Sequence, residues 1–70
     1  MAEIKGFWQD NRTEKIYAVE CDSFGKIVGG AGPLDSDNLH DLDDYDYTPA
    51  IVGWLERAVA EHRLHRINPT

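Results

Sequence analysis

Glu14-Lys-Ile-Tyr-Ala-Val-Glu-Cys-Asp-Ser-Phe-Gly-Lys-Ile-Val-Gly29 reads as strand, tight turn, strand. Residues 14–21 are rich in β-branched and aromatic side chains, the types that fit a pleated, half-buried surface. Asp22 stands where a turn opens, and Gly25 supplies the left-handed residue that closes a type I turn with a bulge. Upstream, residues 3–9 run through the turn-rich Asp10-Asn-Arg-Thr13 into the same strand, which predicts a first hairpin. Together these segments predict a three-stranded antiparallel β-meander with strands at 3–9, 14–21 and 26–31. Gly29, Gly30, Gly32 and Pro33 are expected to end the third strand, because glycine weakens a ladder and proline cannot donate to it.

The other strong signal lies further on, at Thr48-Pro49. Threonine caps free helix amides, and proline is pre-set for the first helical position. Beyond it Ile51, Leu55, Ala58, Val59 and His62 share one face at 100° per residue, which predicts a helix over 49–63. Leu64 and Ile67 fall off that face, so residues 64–70 are expected to form a separately packed tail, with Pro69 forbidding helical continuation. The expected fold is α+β and forms a single domain over residues 1–70. It consists of the meander, an acidic loop at 33–47, and one C-terminal α-helix packed on the sheet.

Charge is distributed unevenly between these parts. The chain has 13 acidic and 7 basic residues, a formal charge of −6. Asp35, Asp37, Asp41, Asp43, Asp44 and Asp46 fall within one twelve-residue stretch that holds no Lys or Arg, and the other acidic residues balance the basic ones. The body is therefore neutral and one segment is anionic. Asp43, Asp44 and Asp46 precede the helix, while His62, Arg63, His65 and Arg66 lie near its far end, so both poles complement the helix dipole.

Length and composition limit what such a chain can be. A 70-residue domain draws only about 3–5 kcal/mol of net stability from an unaided core. A single cysteine, Cys21, closes no internal disulfide, so packing or association must supply the rest. Two Phe, two Trp and three Tyr provide large buried area and favour an ordered core. The first residues lack the basic start and apolar stretch of a secretory leader, and one free thiol suits a reducing compartment, so a cytoplasmic location is expected. The longest apolar run, 50–55, is far short of the roughly 20 residues that span a bilayer, so no membrane role is expected.

No catalytic or cofactor fingerprint stands out. Asp35, Asp37, Asp41, Asp43 and Asp46 fit positions 1, 3, 7, 9 and 12 of a calcium-loop frame, but Leu39 and His40 occupy the places of a ligand and of the turn glycine. A looser response of this loop to divalent cations is the alternative kept from that pattern. His62 and His65, with His40 or Cys21, make a poor transition-metal set, and no metal or cofactor is expected. Cys21 lies at a strand end with no flanking group to lower its pKa, so it reads as a small apolar side chain and not as a nucleophile. Gly29-Gly-Ala-Gly32 lacks the Lys-Ser/Thr and the following helix of a phosphate loop. Direct nucleic-acid binding is not expected of an anionic chain without a basic stripe. Imitation of nucleic acid by the aspartates, to occupy a basic protein's groove, stands as a further alternative.

What remains is association. Side chains alternate along a strand, so Tyr17, Val19 and Cys21 share one face, assigned to the helix residues Ile51, Leu55, Ala58 and Val59. The second face carries Ile16, Ala18 and either Phe7 or Trp8, because a one-residue change in the first turn exchanges the last two. One helix covers one face, which leaves the second to the tail, a second copy of the chain or another protein. The sequence therefore predicts a non-enzymatic protein that associates with a protein partner or with itself. Phe7, Trp8, Ile16 and Ala18 are its apolar contact candidates, and Asp35, Asp37, Asp41, Asp43, Asp44 and Asp46 steer a basic partner.

Overall fold

A computed structural model describes residues 4–68. Strands β1 (Ile4–Asp10), β2 (Ile16–Cys21), β3 (Ile27–Leu34) and β4 (Leu64–Ile67) form one antiparallel sheet in the order β3-β2-β1-β4, with one α-helix among the described residues, α1 (Val52–Ala60). The α+β architecture and the meander match the sequence. The strand count does not, because residues 64–67 are a fourth strand and not a tail. They pair with β1 from Phe7 opposite Ile67 to Asp10 opposite Leu64. Glu3, assigned above to the first strand, and Pro69 lie outside the described residues.

Both hairpins follow from their turn residues. Asp22 Oδ1 accepts the amides of Phe24 and Lys26, each at 2.9 Å, and Gly25 takes φ +84°. In the first turn Asp10 Oδ1 accepts from Arg12 N at 2.7 Å and Thr13 N at 3.0 Å, and Glu14 carries the positive φ. That turn fixes Trp8 opposite Tyr17 and Phe7 opposite Ala18, which resolves the ambiguity left by the sequence: Trp8 belongs to the helix side and Phe7 to the second face.

The third strand runs on to Leu34, past the glycines expected to end it. Those glycines serve close approach. A Cβ at Gly30 would overlap Leu55 Cδ1 and lie 3.2 Å from Ile51 Cδ1, while one at Gly29 would lie 3.3 Å from Tyr47 Cβ. Pro33 is tolerated because β3 is an edge strand, where a missing donor costs no ladder bond on the outer side.

The helix is shorter than its periodicity predicts. Thr48 Oγ1 accepts Ala50 N and Pro49 starts the first turn, as expected, but residues 49–51 form a 3-10 turn before α1. At the other end His62 adopts φ +59°. Its amide bonds Val59 O at 3.0 Å, and that of Arg63 bonds Ala58 O at 2.8 Å. This pair of reversed bonds is a Schellman ending, so His62 closes the helix and does not extend its apolar face. The connector is pinned to the first turn: Asn11 N donates to Arg63 O and Asn11 Nδ2 to His62 O, both at 2.8 Å, and Asn11 Oδ1 contacts His65 Nδ1.

Two cores result, one on each side of the sheet. Leu55, Ala58, Val19, Ile27 and Leu64 are buried between α1 and the sheet, with Trp8, Tyr17, Cys21, Ile51, Val52 and Val59 packed around them. Phe7, Ile16 and Ala18 are buried on the opposite side. Their cover is the acidic segment itself, together with Ile67 of β4.

Candidate functional site

Residues 35–47 form a strap across the second sheet face. Leu39, Leu42, Tyr45 and Tyr47 pack against Phe7, Ile16 and Ala18, and Phe7 meets the Tyr45 ring edge-on, with centroids 5.9 Å apart and planes at 88°. The T-shaped contact and the burial act together, since aromatic pairs contribute beyond their area. Leu42–Asp44 make a short 3-10 turn. Tyr47 donates its hydroxyl to Leu42 O at 2.6 Å, and Tyr45 Oη accepts the His40 amide at 2.7 Å. Asp35 Oδ1 accepts Asp37 N at 2.9 Å. At the end of the strap Thr48 and Gly30 exchange two backbone bonds of 3.0 Å, so the chain passes round the β3 edge from one face to the other.

The six aspartates are all exposed, while the strap's Leu and Tyr side chains turn towards the sheet. Among the described residues, one cation reaches them. Lys5 Nζ lies 3.0 Å from Asp43 Oδ1 and 5.4 Å from the Tyr47 ring centroid. Glu20 stands opposite Lys5 in the β1–β2 register and adds to the negative field at the same ammonium. The Asp43 hydrogen bond, chiefly, holds the Lys5 pKa above its ordinary value. Burial pushes the Tyr47 hydroxyl up, so the phenol stays a neutral donor to Leu42.

The apolar contact candidates are distributed differently. Phe7, Ile16 and Ala18 are buried beneath the strap, and Trp8 is half-buried on the helix side. Apolar exposure lies elsewhere: Phe24, 93% exposed at the β2–β3 turn, with Ile4 and Val28 on the strands. On α1, Trp54, also exposed, meets the Tyr17 ring at a tilt of 45° with centroids 5.0 Å apart, and Arg63 lies over its ring. Arg63 Nε is shielded from solvent and 3.0 Å from Glu61 Oε1, but is not aligned for a hydrogen bond, so that contact is ionic only.

The groups weighed for metal or nucleophilic chemistry are not brought together. His40 sits on the strap, His62 and His65 near the connector, and Cys21 at the end of β2. Among the described residues no group of three or more His, Cys, Asp or Glu side chains is placed to hold a metal ion, and no pocket is found. Cys21 is a free thiol whose pKa burial raises, which lowers its thiolate fraction. No helix of the described residues is long and apolar enough to cross a membrane.

The sequence reading missed the residues that seat the strap. Their signal is present: Leu39, Leu42 and Tyr45 recur every third position, followed by Tyr47, each flanked by polar residues. The charge of the segment masks that pattern. Comparison with protein-family models, with curated proteins and with solved structures finds no match for this chain.

Proposed function

We propose that this is a small cytoplasmic protein that acts by association with a basic protein partner and not by catalysis, using the outward edge of the strap as its contact surface. The observation that carries the reading is the division of labour within residues 35–47. The apolar side chains anchor the segment to a rigid sheet, while Asp35, Asp37, Asp41, Asp43, Asp44 and Asp46 all face water. A charge array held on a folded support loses less entropy on binding than a free acidic loop would. Its field raises the encounter rate with a basic surface.

With the second sheet face sealed beneath the strap, affinity must come from the carboxylate edge and its surroundings, and the interaction should weaken as salt screens it. The test is differential capture. The immobilised chain and a variant with all six aspartates changed to Asn are exposed to the same cell extract at low and moderate salt. A basic protein retained saturably by the native chain, released by salt and absent from the variant supports the proposal. Identical retained sets on both surfaces would refute it.

A further inference from the structure

The sheet has two outer edges, and the fold treats them differently. At β3 the edge is blocked: Gly30 exchanges two backbone bonds of 3.0 Å with Thr48, and Pro33 carries no amide proton. At β4, last in the sheet order, nothing among the described residues stands beyond the strand. The register shows which groups that edge offers. Asp10 N donates to Lys15 O and Asn11 N to Arg63 O, so the even-numbered residues of β1 bond β2 and the odd-numbered ones bond β4. His65 and Ile67, opposite Gln9 and Phe7, therefore direct their amides and carbonyls inward, while those of Leu64 and Arg66 point outward. The β1–β4 register runs without a shift and β4 contains no proline, so this edge is straight and open to pairing.

What guards the edge is charge. His65 and Arg66 are exposed on opposite faces of β4, and His62 and Arg63 stand just before the strand. Arg63 is already paired with Glu61. The Arg66 guanidinium rests across β1, 3.0–3.1 Å from where a Cβ on Gly6 would stand, and has no carboxylate within ion-pair distance among the described residues. Pairing of β4 with its own copy would crowd two sets of these basic side chains, whereas a strand carrying carboxylates meets complementary charge. We propose that the β4 edge docks an extended acidic segment of another protein, which adds a further strand antiparallel to β4. Its backbone pairs with Leu64 and Arg66, and its carboxylates opposite His65 and Arg66 set the choice of partner. This site is separate from the strap and holds whether or not the strap has a partner of its own.

The probe is the capped peptide acetyl-Thr-Val-Glu-Glu-Val-Thr-amide, whose glutamates fall opposite Arg66 and His65 when its first Val lies opposite Ile67. Titration into the isotope-labelled full chain at low salt, followed by amide chemical shifts, should give saturable binding with a dissociation constant of about 1 mM or tighter. The amide protons of Leu64 and Arg66 should move downfield as they gain acceptors, and those of His65 and Ile67, already bonded to β1, much less. Replacing both glutamates by glutamine should weaken binding about 2- to 30-fold, the range of two opposite-charge cross-strand pairs. Arg66→Gln should weaken the glutamate peptide about 1.5- to 5-fold and leave the glutamine peptide unaffected, a difference that a purely structural role of Arg66 would not produce. N-methylation of the first Glu and the second Val removes the peptide amides that reach β4 and should abolish binding at unchanged charge. Absence of saturable binding, shifts confined to residues outside β4, or equal binding of the N-methylated peptide would overturn the proposal. So would a dimer in sedimentation whose Leu64 and Arg66 amides shift on dilution, because the edge would then belong to a second copy.

Discussion

Gly30→Ala is the sharpest test of how α1 is seated. In general, replacing a glycine by alanine stabilises by about 0.4–1 kcal/mol where the backbone permits it, by restricting the unfolded chain. At Gly30 the new Cβ would overlap Leu55 Cδ1 and crowd Ile51 Cδ1 at 3.2 Å. Leu55 is fully buried, with no room to withdraw. Overpacking of this kind costs about 1–3 kcal/mol, so the overlap wins by roughly 1–2 kcal/mol. Against about 3–5 kcal/mol of total stability that is a large loss. At about 4–8 °C per kcal/mol it lowers the thermal midpoint by about 5–15 °C. The assay is urea and thermal unfolding followed by tryptophan fluorescence and far-ultraviolet circular dichroism. Gly53→Ala is the control, since a Cβ there meets nothing within 4 Å and should stabilise. Leu55→Val removes the clashing methyl group, so the penalty of Gly30→Ala should shrink in that background. A Gly30→Ala protein as stable as the native chain, or stabilised like Gly53→Ala, would refute the seating of α1 on β3.

Two further perturbations address the turns. His62→Gly removes a side chain from a left-handed residue, where a Cβ costs about 1–2 kcal/mol, partly offset by the freer unfolded chain; the urea midpoint should rise, and a fall would show that the imidazole itself holds the connector. Asp10 has its pKa lowered by the amides of Thr13 and Arg12, so between its folded value and the ordinary carboxylate range the unfolded state binds more protons. Stability from Asp10 is therefore complete above the ordinary range and is lost as pH falls through the lowered value. Unfolding curves from neutral pH to about pH 3 should show a steeper acid loss for the native chain than for Asp10→Asn, and parallel curves would show that Asp10 contributes nothing to the acid response.

The parts of the fold legible in the sequence are those whose chemistry is local. Asp22 and Gly25 specify their turn within four residues, and Thr48 with Pro49 specifies a helix start, so both features appear where they are expected. The alternation of Tyr17, Val19 and Cys21 against the 3.6-residue pattern of Leu55 and Ala58 likewise gives the helix-side core. The missing pieces depend on contacts distant in sequence. Leu64 to Ile67 is too short for its own period to identify it, and it becomes a strand because β1 offers a free edge beside it. The helix stop at His62 carries no glycine to announce it. Gly30 resembles a strand breaker until Leu55 is seen above it. In the strap, charge and apolar anchoring share one stretch. Its aspartates read as solvent-facing and are so, whereas its leucines and tyrosines, whose every-third spacing is masked by the surrounding charge, read as loop and leave the second face without a cover.

The contact surface itself can be mapped before any partner is identified. A photo-crosslinking residue is placed in the full-length chain at Asp44 on the strap in one protein, and at Phe24 on the exposed hairpin tip in another, and each is irradiated in the native cell. A discrete adduct is expected from position 44, lost when the other strap aspartates are changed to Asn, and none from position 24. An adduct from position 24 with none from position 44 would contradict the proposed function, moving the contact surface from the acidic strap to the apolar end of the sheet.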